Sequence, residues 1–318
     1  MLKPRPITLL AVLSLLVAVG AIAFLTVGAK GPWSFVLQFR GTKLASIALV
    51  GYAISVSTIL FQTATANRIL TPSIMGLDTL YILIQTSLVF LIGSGGTIML
   101  SSTLLFLVQV AAMVGFSVAL YLWLFSGRTQ SLHLVVLVGV VLGVLFRSLS
   151  SLMHRIMAPN EFVVLQDRVF ANFNTVDTRV LSVAAVAVFA VSVYGAGKLR
   201  TYDVLHLGRD AAIALGVDYK RTVSQILIIV AVLVSVSTAL VGPTMFFGLL
   251  VASLAYRISG SERHVVLLPA ASLIGILLLV GGQVILERLF AFGTALSIII
   301  EFAGGIAFIV MLLRSRSR

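Results

Sequence analysis

The sequence predicts an all-α, polytopic membrane protein with about ten transmembrane helices. Two observations make that expectation and a third orders it. The 318 residues are 60% hydrophobic and 10% charged, where soluble domains run near ~25% charged. With a mean hydropathy of +1.16, the chain holds more apolar surface than a water-soluble core can hide, so the bilayer is its expected solvent. The apolar residues fall in runs of about 20, the length that crosses a ~30 Å hydrocarbon core as a helix. Polar residues gather between the runs, most densely from Lys198 to Arg221. Backbone polar groups in lipid must be satisfied inside their own segment, and continuous apolar runs do so as helices.

Met1-Leu2-Lys3-Pro4-Arg5-Pro6 leads into the first run, Ile7 to about Gly28. The basic start and Ala21-Ile22-Ala23 have the form of a cleavable signal peptide, but the run is long enough to span, and a retained first helix is expected. Further runs fall near 42–64, 73–93, 97–125 and 132–153. In the long connection His154 to Thr178, apolar Phe162, Val163, Leu165, Val169 and Phe170 beside Asp167 and Arg168 predict a short helix around Glu161–Phe170. Such a helix lies on the membrane face or meets an external partner. Runs at 179–197, 221–241, 243–257, 264–287 and 294–313 complete the set, 243–257 being short and glycine-containing. Residues 1–318 read as one transmembrane domain, without a soluble domain, long linker or repeat. Gly139 and Gly143, Gly281 and Gly282, and Gly304 and Gly305 mark places where helices in lipid approach closely.

With the N-terminus in the cytoplasm, fourteen of the 22 Lys and Arg fall on that side and eight on the other. That is the bias expected of cytoplasmic loops, so both termini and the Lys198–Arg221 interval are expected there. The interval carries five Lys/Arg and three Asp in 24 residues. Its small and aliphatic residues predict short helices turned at Gly208 and Gly216, a contact surface for a cytoplasmic partner.

Several function classes are excluded. The net charge of +12 is spread over short loops and forms no groove or stripe, so no nucleic-acid partner is expected. The chain has no cysteine, hence no disulfide, thiolate metal site or Cys nucleophile. Gly197-Lys198 lacks both the upstream glycine and the following Ser/Thr of a phosphate-binding loop. His133, His154, His206 and His264 show no metal-ligand spacing, and no serine has a placed His or Asp partner. No catalytic residue, metal site or directly bound cofactor is expected.

Ionisable groups at membrane depth are costly and often functional. Asp78 lies early in the third span and Glu301 well inside the last. Arg147 sits roughly 22 Å along the fifth span from Leu132 by helical rise. Gln62, Gln85, Gln109 and Gln283 are candidates to line a path, against the ordinary alternative of interhelical hydrogen bonds or snorkelling. Asp78 and Glu301 leave open an ion-coupled secondary transporter.

Four patches between Arg40 and Leu313 carry a family resemblance. Arg40-Gly41-Thr42-Lys43 stands where the family has Arg-x-Pro-Arg, without the proline. Asn67, Pro72 and Gly76 match Asn-Pro-Leu-Ala-x-Pro and its following Leu-Gly. Leu207, Gly208, Ala212, Leu215 and Gly216 match LGxxxAxxLG. Gly242-Pro243, Phe246 and Gly248-Leu249 match GPxxFxGL, after which Ala252-Ser253 replaces the family's Pro-His. In this order the patches resemble the FecCD-type permease subunits of type II ABC importers for iron–siderophores and cobalamin. The loop from Pro159-Asn160-Glu161-Phe162 to Asn172-Phe173-Asn174 is similar to the catechol-siderophore branch, of vibriobactin or enterobactin type.

The resemblance implies a type II importer permease fold in a bacterial cytoplasmic (inner) membrane. It implies a second permease subunit, identical or paralogous, two ATP-binding subunits that use the ATP, and a periplasmic or surface-tethered siderophore-binding protein. Leu207, Gly208, Arg209, Asp210, Ala212, Leu215 and Gly216 are then the contact with the ATPase. Arg40, Lys43 and Arg288 are cations for docking the binding protein. Arg147, Gln62 and Asn67 are the candidates for the translocation path, Arg147 as the attractor of an anionic ferric catecholate.

Overall fold

The computed structural model describes residues 6–28, 32–126, 132–290 and 295–315. Lys3, Arg5, Lys30, Arg128, Arg316 and Arg318 of the charge count lie outside them. Thirteen α-helices follow one another: α1 (Pro6–Thr26), α2 (Trp33–Thr65), α3 (Leu77–Met99), α4 (Ser102–Ser126), α5 (Leu132–Ile156), α6 (Pro159–Val169), α7 (Thr178–Ala196), α8 (Leu199–Leu205), α9 (Arg209–Ala214), α10 (Tyr219–Val241), α11 (Phe247–Ser259), α12 (His264–Arg288) and α13 (Leu296–Ser315). Seven of them are long and apolar enough to cross a membrane, and Leu77–Gly93, Phe247–Ser259 and Leu296–Ile306 are shorter apolar stretches. Among the described residues seven helices have the length and hydropathy of a span, and three of the expected runs coincide with the shorter apolar stretches.

The bounds differ from the apolar runs where polar groups find partners. α2 begins at Trp33, ahead of Arg40 and Lys43, because both cations are satisfied inside the chain. The third run opens with a 3-10 turn, Pro72–Met75, before α3 starts at Leu77. Gly93 (φ 70°, ψ 165°) kinks α3 where that run was expected to end. Ala252 and Ser253 continue α11 helically despite the departure from the family pattern. The expected helix at 161–170 is α6, with Pro159 at its first turn, where a missing N–H costs nothing.

α2 is the shared wall of two cores. Leu60 and Phe61 of α2 pack with Leu77 and Tyr81 of α3 and with Leu227, Val230 and Val234 of α10. Ile47, Val50 and Ile54 of the same helix pack with Phe247 and Val251 of α11 and Ala270 and Ile274 of α12. α1 packs outside α12, α4 and α7 pack on α10, and α5 packs on α3. Outward, Leu15 and Val19 of α1, Leu137, Val141 and Leu152 of α5, and Val186 and Phe189 of α7 are exposed. Such an apolar surface is stable only under lipid or a further protein subunit.

Glycines set the tightest crossings. A Cβ on Gly275 of α12 would sit 2.9 Å from the Gly51 carbonyl oxygen of α2, and one on Gly51 would sit 3.1 Å from the Ile276 backbone. Gly139 of α5 receives the Pro72–Met75 turn, where its Cβ would meet Met75 Cα at 2.9 Å, and a Cβ on Gly143 would meet Gly76 Cα and Thr79 Oγ1 at the start of α3, at 3.2 and 3.3 Å. Where α2 ends, Ala66 is left-handed (φ 47°), with its N–H on Thr63 O (3.4 Å) and that of Asn67 on Gln62 O (3.2 Å). This paired closure usually carries glycine.

Gly275→Leu should destabilise the bundle by about 1–3 kcal/mol through overpacking, read as a lower unfolding midpoint in detergent. Gly281→Leu, whose Cβ meets nothing within 4 Å, should leave that midpoint unchanged.

Candidate functional site

The connection between α7 and α10 forms one end of the bundle. α8 leads to Gly208 (φ 102°), α9 is six residues long, and Gly216 (φ 80°) turns the chain toward α10. Both glycines are left-handed, the region that side chains avoid, and they turn the chain where the spacing placed the turns. Ala212 is fully buried and anchors α9, while Leu207 (65%), Ile213 (51%) and Leu215 (62%) point outward. Arg209 lies over the Tyr219 ring at 5.6 Å, and Asp210 is exposed. Asp218 caps α10 by accepting from the Arg221 N–H.

This element is locked to the spanning helices by polar contacts. The backbone N–H and Nδ1 of His264 both donate to Asp203 Oδ1, each at 2.7 Å. Nε2 of the fully buried His264 lies 2.8 Å from Thr63 Oγ1. The carboxylate places the ring proton on Nδ1, and one imidazole joins α8, α12 and α2. Beside it, Arg68 pairs with Glu262 and stacks over Tyr256 at 4.7 Å, with His206 Nε2 3.5 Å from the same carboxylate. The hydrogen bond from Arg68 holds Glu262 below the usual carboxylate range. Burial pushes the neighbouring Tyr202 hydroxyl up to about 12.

At the opposite end, Arg40 donates to the carbonyls of Phe24 (2.8 Å), Val27 (3.0 Å) and Gly28 (3.2 Å). Arg288 donates to Val27 O as well. Two guanidiniums thus cover the carbonyl end of α1, where the helix dipole favours cations. Lys43 pairs with Glu287 at 2.8 Å, the side chains only 5% and 13% exposed. Gln283 Nε2 donates to Glu287 Oε1 (3.0 Å) and to Asn174 Oδ1 (3.2 Å). Lys43, expected among the docking cations, is paired with Glu287 inside the bundle. Arg288 is exposed and Arg40 half-buried.

Next to this chain of contacts lies a cavity of about 740 Å³, lined by Tyr81, Gln85, Arg168, Asn172, Asn174 and Gln283 among others. It is shaped where α10 ends. The Asn172 N–H donates to Val241 O at 2.7 Å, and a Cβ on Gly242 (φ 100°) would meet Ala171 Cα at 3.1 Å. The 170–175 segment is thereby held against the bundle.

The remaining path candidates are scattered. Gln62 is buried and donates to Arg68 O (2.7 Å), and Asn67 Oδ1 accepts from the Ile69 N–H (2.9 Å). Both shape the exit from α2. Arg147 is exposed on α5 beside a cavity of about 260 Å³ that Asp78 also lines. Asp78 is buried near Ser73 and Thr238, and Glu301 is half-buried on α13. Sequence reading missed Asp203, His264, Glu287 and Arg168. Asp203, His264 and Glu287 pair with residues far along the chain, and Arg168 takes its place from the cavity beside it.

Residues 6–314 match the FecCD transport family. The petrobactin import system permease protein YclO of Bacillus subtilis is 48% identical over 284 residues, 89% of this chain and 90% of that protein. The petrobactin import system permease protein FatC of Bacillus anthracis is 37% identical, over 89% of this chain and 81% of its own length. The ferric enterobactin transport system permease protein FepG of Escherichia coli is 26% identical, over 88% and 82%. A solved structure described as an inward-facing metal-chelate type ABC transporter superposes with a TM-score of 0.85 at 21% identity, covering 97% of this chain and 99% of the other. It establishes the fold.

Lys43→Met should cost about 3–5 kcal/mol, because it strands a buried carboxylate. Adding Glu287→Leu should recover most of the loss in the same unfolding measurement.

Proposed function

The chain belongs to the FecCD transport family, and from that premise we propose that it is the membrane-spanning permease of an ABC importer for ferric siderophores. It is a transport subunit rather than an enzyme, so the ATP is used by a partner. The observation that carries the assignment is α9: a short helix between two left-handed glycines, with Leu207, Ile213 and Leu215 exposed on a loop otherwise rich in charge. Exposed apolar side chains on a rigid polar element are the makings of a protein contact. No phosphate-binding loop exists in the sequence to make this chain its own motor.

In this reading the α9 end and both termini are cytoplasmic, the α6 end faces outward, and the membrane is the bacterial cytoplasmic membrane. Leu207, Gly208, Arg209, Asp210, Ala212, Leu215 and Gly216 form the seat for an ATP-binding subunit, two of which serve a pair of permeases. A binding protein docks at the α6 end, where Arg288 is the exposed cation and Arg40 stands behind it. Such charges steer docking and fix its register. ATP binding displaces α9, and the Asp203–His264–Thr63 junction passes the displacement to α12 and α2 together.

The two relatives above 30% identity are named for petrobactin import, which supports a ferric siderophore as the cargo. The catecholate class rests on the similarity of the Pro159–Phe162 and Asn172–Asn174 stretches to that branch and on a relative named for ferric enterobactin. An ion-coupled carrier built on Asp78 and Glu301 has no support among these relatives.

Radio-iron uptake into proteoliposomes tests the assignment. Ferric petrobactin should enter only when the ATP-binding subunits, the binding protein and ATP are all present. Gradient-driven uptake by this chain alone would overturn the reading. Replacing Leu207 and Leu215 together by Asp should lower ATP-driven uptake by at least about tenfold, equivalent to ~1.4 kcal/mol at the contact, with membrane insertion unchanged. Wild-type uptake in that variant would remove α9 from the coupling surface.

A further inference from the structure

We propose that the 740 Å³ cavity at the α6 end is a handover site for an anionic, oxygen-rich ferric chelate, with Arg168 supplying its positive charge. The inference rests on the importer reading and adds to it a place and a residue. The volume is within the ~300–1,000 Å³ of small-molecule sites. A second cavity of about 300 Å³, between α3, α4 and α7, also has Gln85, Arg168 and Thr175 in its lining. Arg168 therefore stands where the two meet.

The chemistry of the wall selects the ligand. Arg168 is the one formally charged residue among the described lining residues of the larger cavity. Asp177 lines the smaller one, and its Oδ1 is occupied by the Arg179 N–H at 2.8 Å. Arg168 is half-buried, and among the described residues its guanidinium has no ion pair or side-chain hydrogen bond. The contact it does make, from the Tyr81 hydroxyl at 3.4 Å, is to its backbone carbonyl. A half-buried guanidinium carries five donors and a charge that favour an oxygen anion.

The amides around it are set the same way. Asn172 Oδ1 accepts from the Asn174 N–H at 2.8 Å, and Asn174 Oδ1 accepts from Gln283 Nε2 at 3.2 Å. Both asparagines engage their side-chain oxygen inside the chain, and among the described residues their Nδ2 groups donate to nothing in the chain. Gln283 is fully buried, lines the cavity and keeps its Oε1 without a partner. The wall thus offers a cation and several donors, with Gln283 Oε1 and Gln85 Oε1 as its side-chain amide acceptors and no carboxylate among the described lining residues of the larger cavity, a balance that suits an oxygen-rich anion. Three catecholate dianions around iron(III) make a trianion of that kind, whereas three hydroxamates make a neutral complex.

The test is equilibrium binding to the full chain in nanodiscs of zwitterionic lipid. The probes are a hexadentate iron(III) tricatecholate and a neutral iron(III) trihydroxamate, both carrying radio-iron. Arg168→Gln should weaken binding of the trianion by about tenfold, with Arg168→Lys between it and the wild type, and added salt should weaken the wild type more than Arg168→Gln. Binding of the neutral probe should be indifferent to the substitution. Equal losses for both probes, an unchanged affinity for the trianion, or no binding of it by the wild type would each overturn the proposal. If anionic lipid added to the nanodiscs occupies the guanidinium instead, Arg168→Gln alters the response to that lipid but not chelate binding, and the proposal also fails. The assay uses neither ATP nor partner subunits. Its failure is therefore separable from failure of the importer reading, which is decided by proteoliposome uptake.

Discussion

The α2–α12 seam is the constraint from which the rest of the bundle is built. It is fastened at three heights. Lys43 and Glu287 neutralise each other at one end, Thr63 and His264 meet at the other, and between them Gly51 and Gly275 bring the two backbones into contact. In a hydrocarbon surround an unpaired charge is far costlier than in water. The polar fastenings therefore fix the register of the two helices, while the glycines fix their distance. α1, α7, α10 and α11 pack directly on this pair, while α4 and α5 are carried by α10 and α3. α10 and α3 share the core on one flank of α2, and α11 and α13 lie against α12 and each other.

That arrangement makes the seam a stiff body with a handle at each end. At one end His264 also holds Asp203 of α8, and thereby the stem of α9. At the other, Glu287 holds Gln283, which holds Asn174 at the cavity wall. An element pressed at the α9 end meets a unit in which α2 and α12 cannot slide past one another without breaking a buried contact. Small displacements of packed, bistable elements are how distant sites exchange energy. In the proposed function this is the mechanical content of coupling: a contact surface, a junction and a lever, all within one chain.

Most long apolar runs mark their helices to within a few residues, because lipid leaves no other backbone solution, while α2 starts nine residues ahead of its run. The turns at Gly208 and Gly216 were legible too, since glycine is the residue that tolerates their left-handed backbone. What escaped was pairing at a distance. Lys43 and Glu287 are 244 residues apart and His264 and Asp203 are 61 apart; no periodicity announces such contacts. For that reason Lys43 read as an outward docking cation, and the apolar run marks α2 only from residue 42, nine residues after its start at Trp33. The candidate site suffered similarly. Arg147 drew notice because it lies deep in a span, whereas Arg168 read only as a polar residue of the short external helix, α6. Its standing comes from the cavity beside it, which only the folded chain assembles.

The α9 turn has a consequence beyond coupling. A Cβ on Gly208 or Gly216 would touch nothing within 4 Å; what fixes these residues is backbone handedness, with Ala212 as the buried peg. The outward side chains Leu207, Ile213 and Leu215 contribute little to holding that shape. Leu207 and Leu215 stand at positions of the LGxxxAxxLG pattern, whereas Ile213 lies outside it, so one short motif supplies both the shape of the turn and part of its outward face. In the proposed function, an exchange that alters the match to a partner without disturbing the turn therefore falls on Ile213 and on the exposed Arg209 and Asp210.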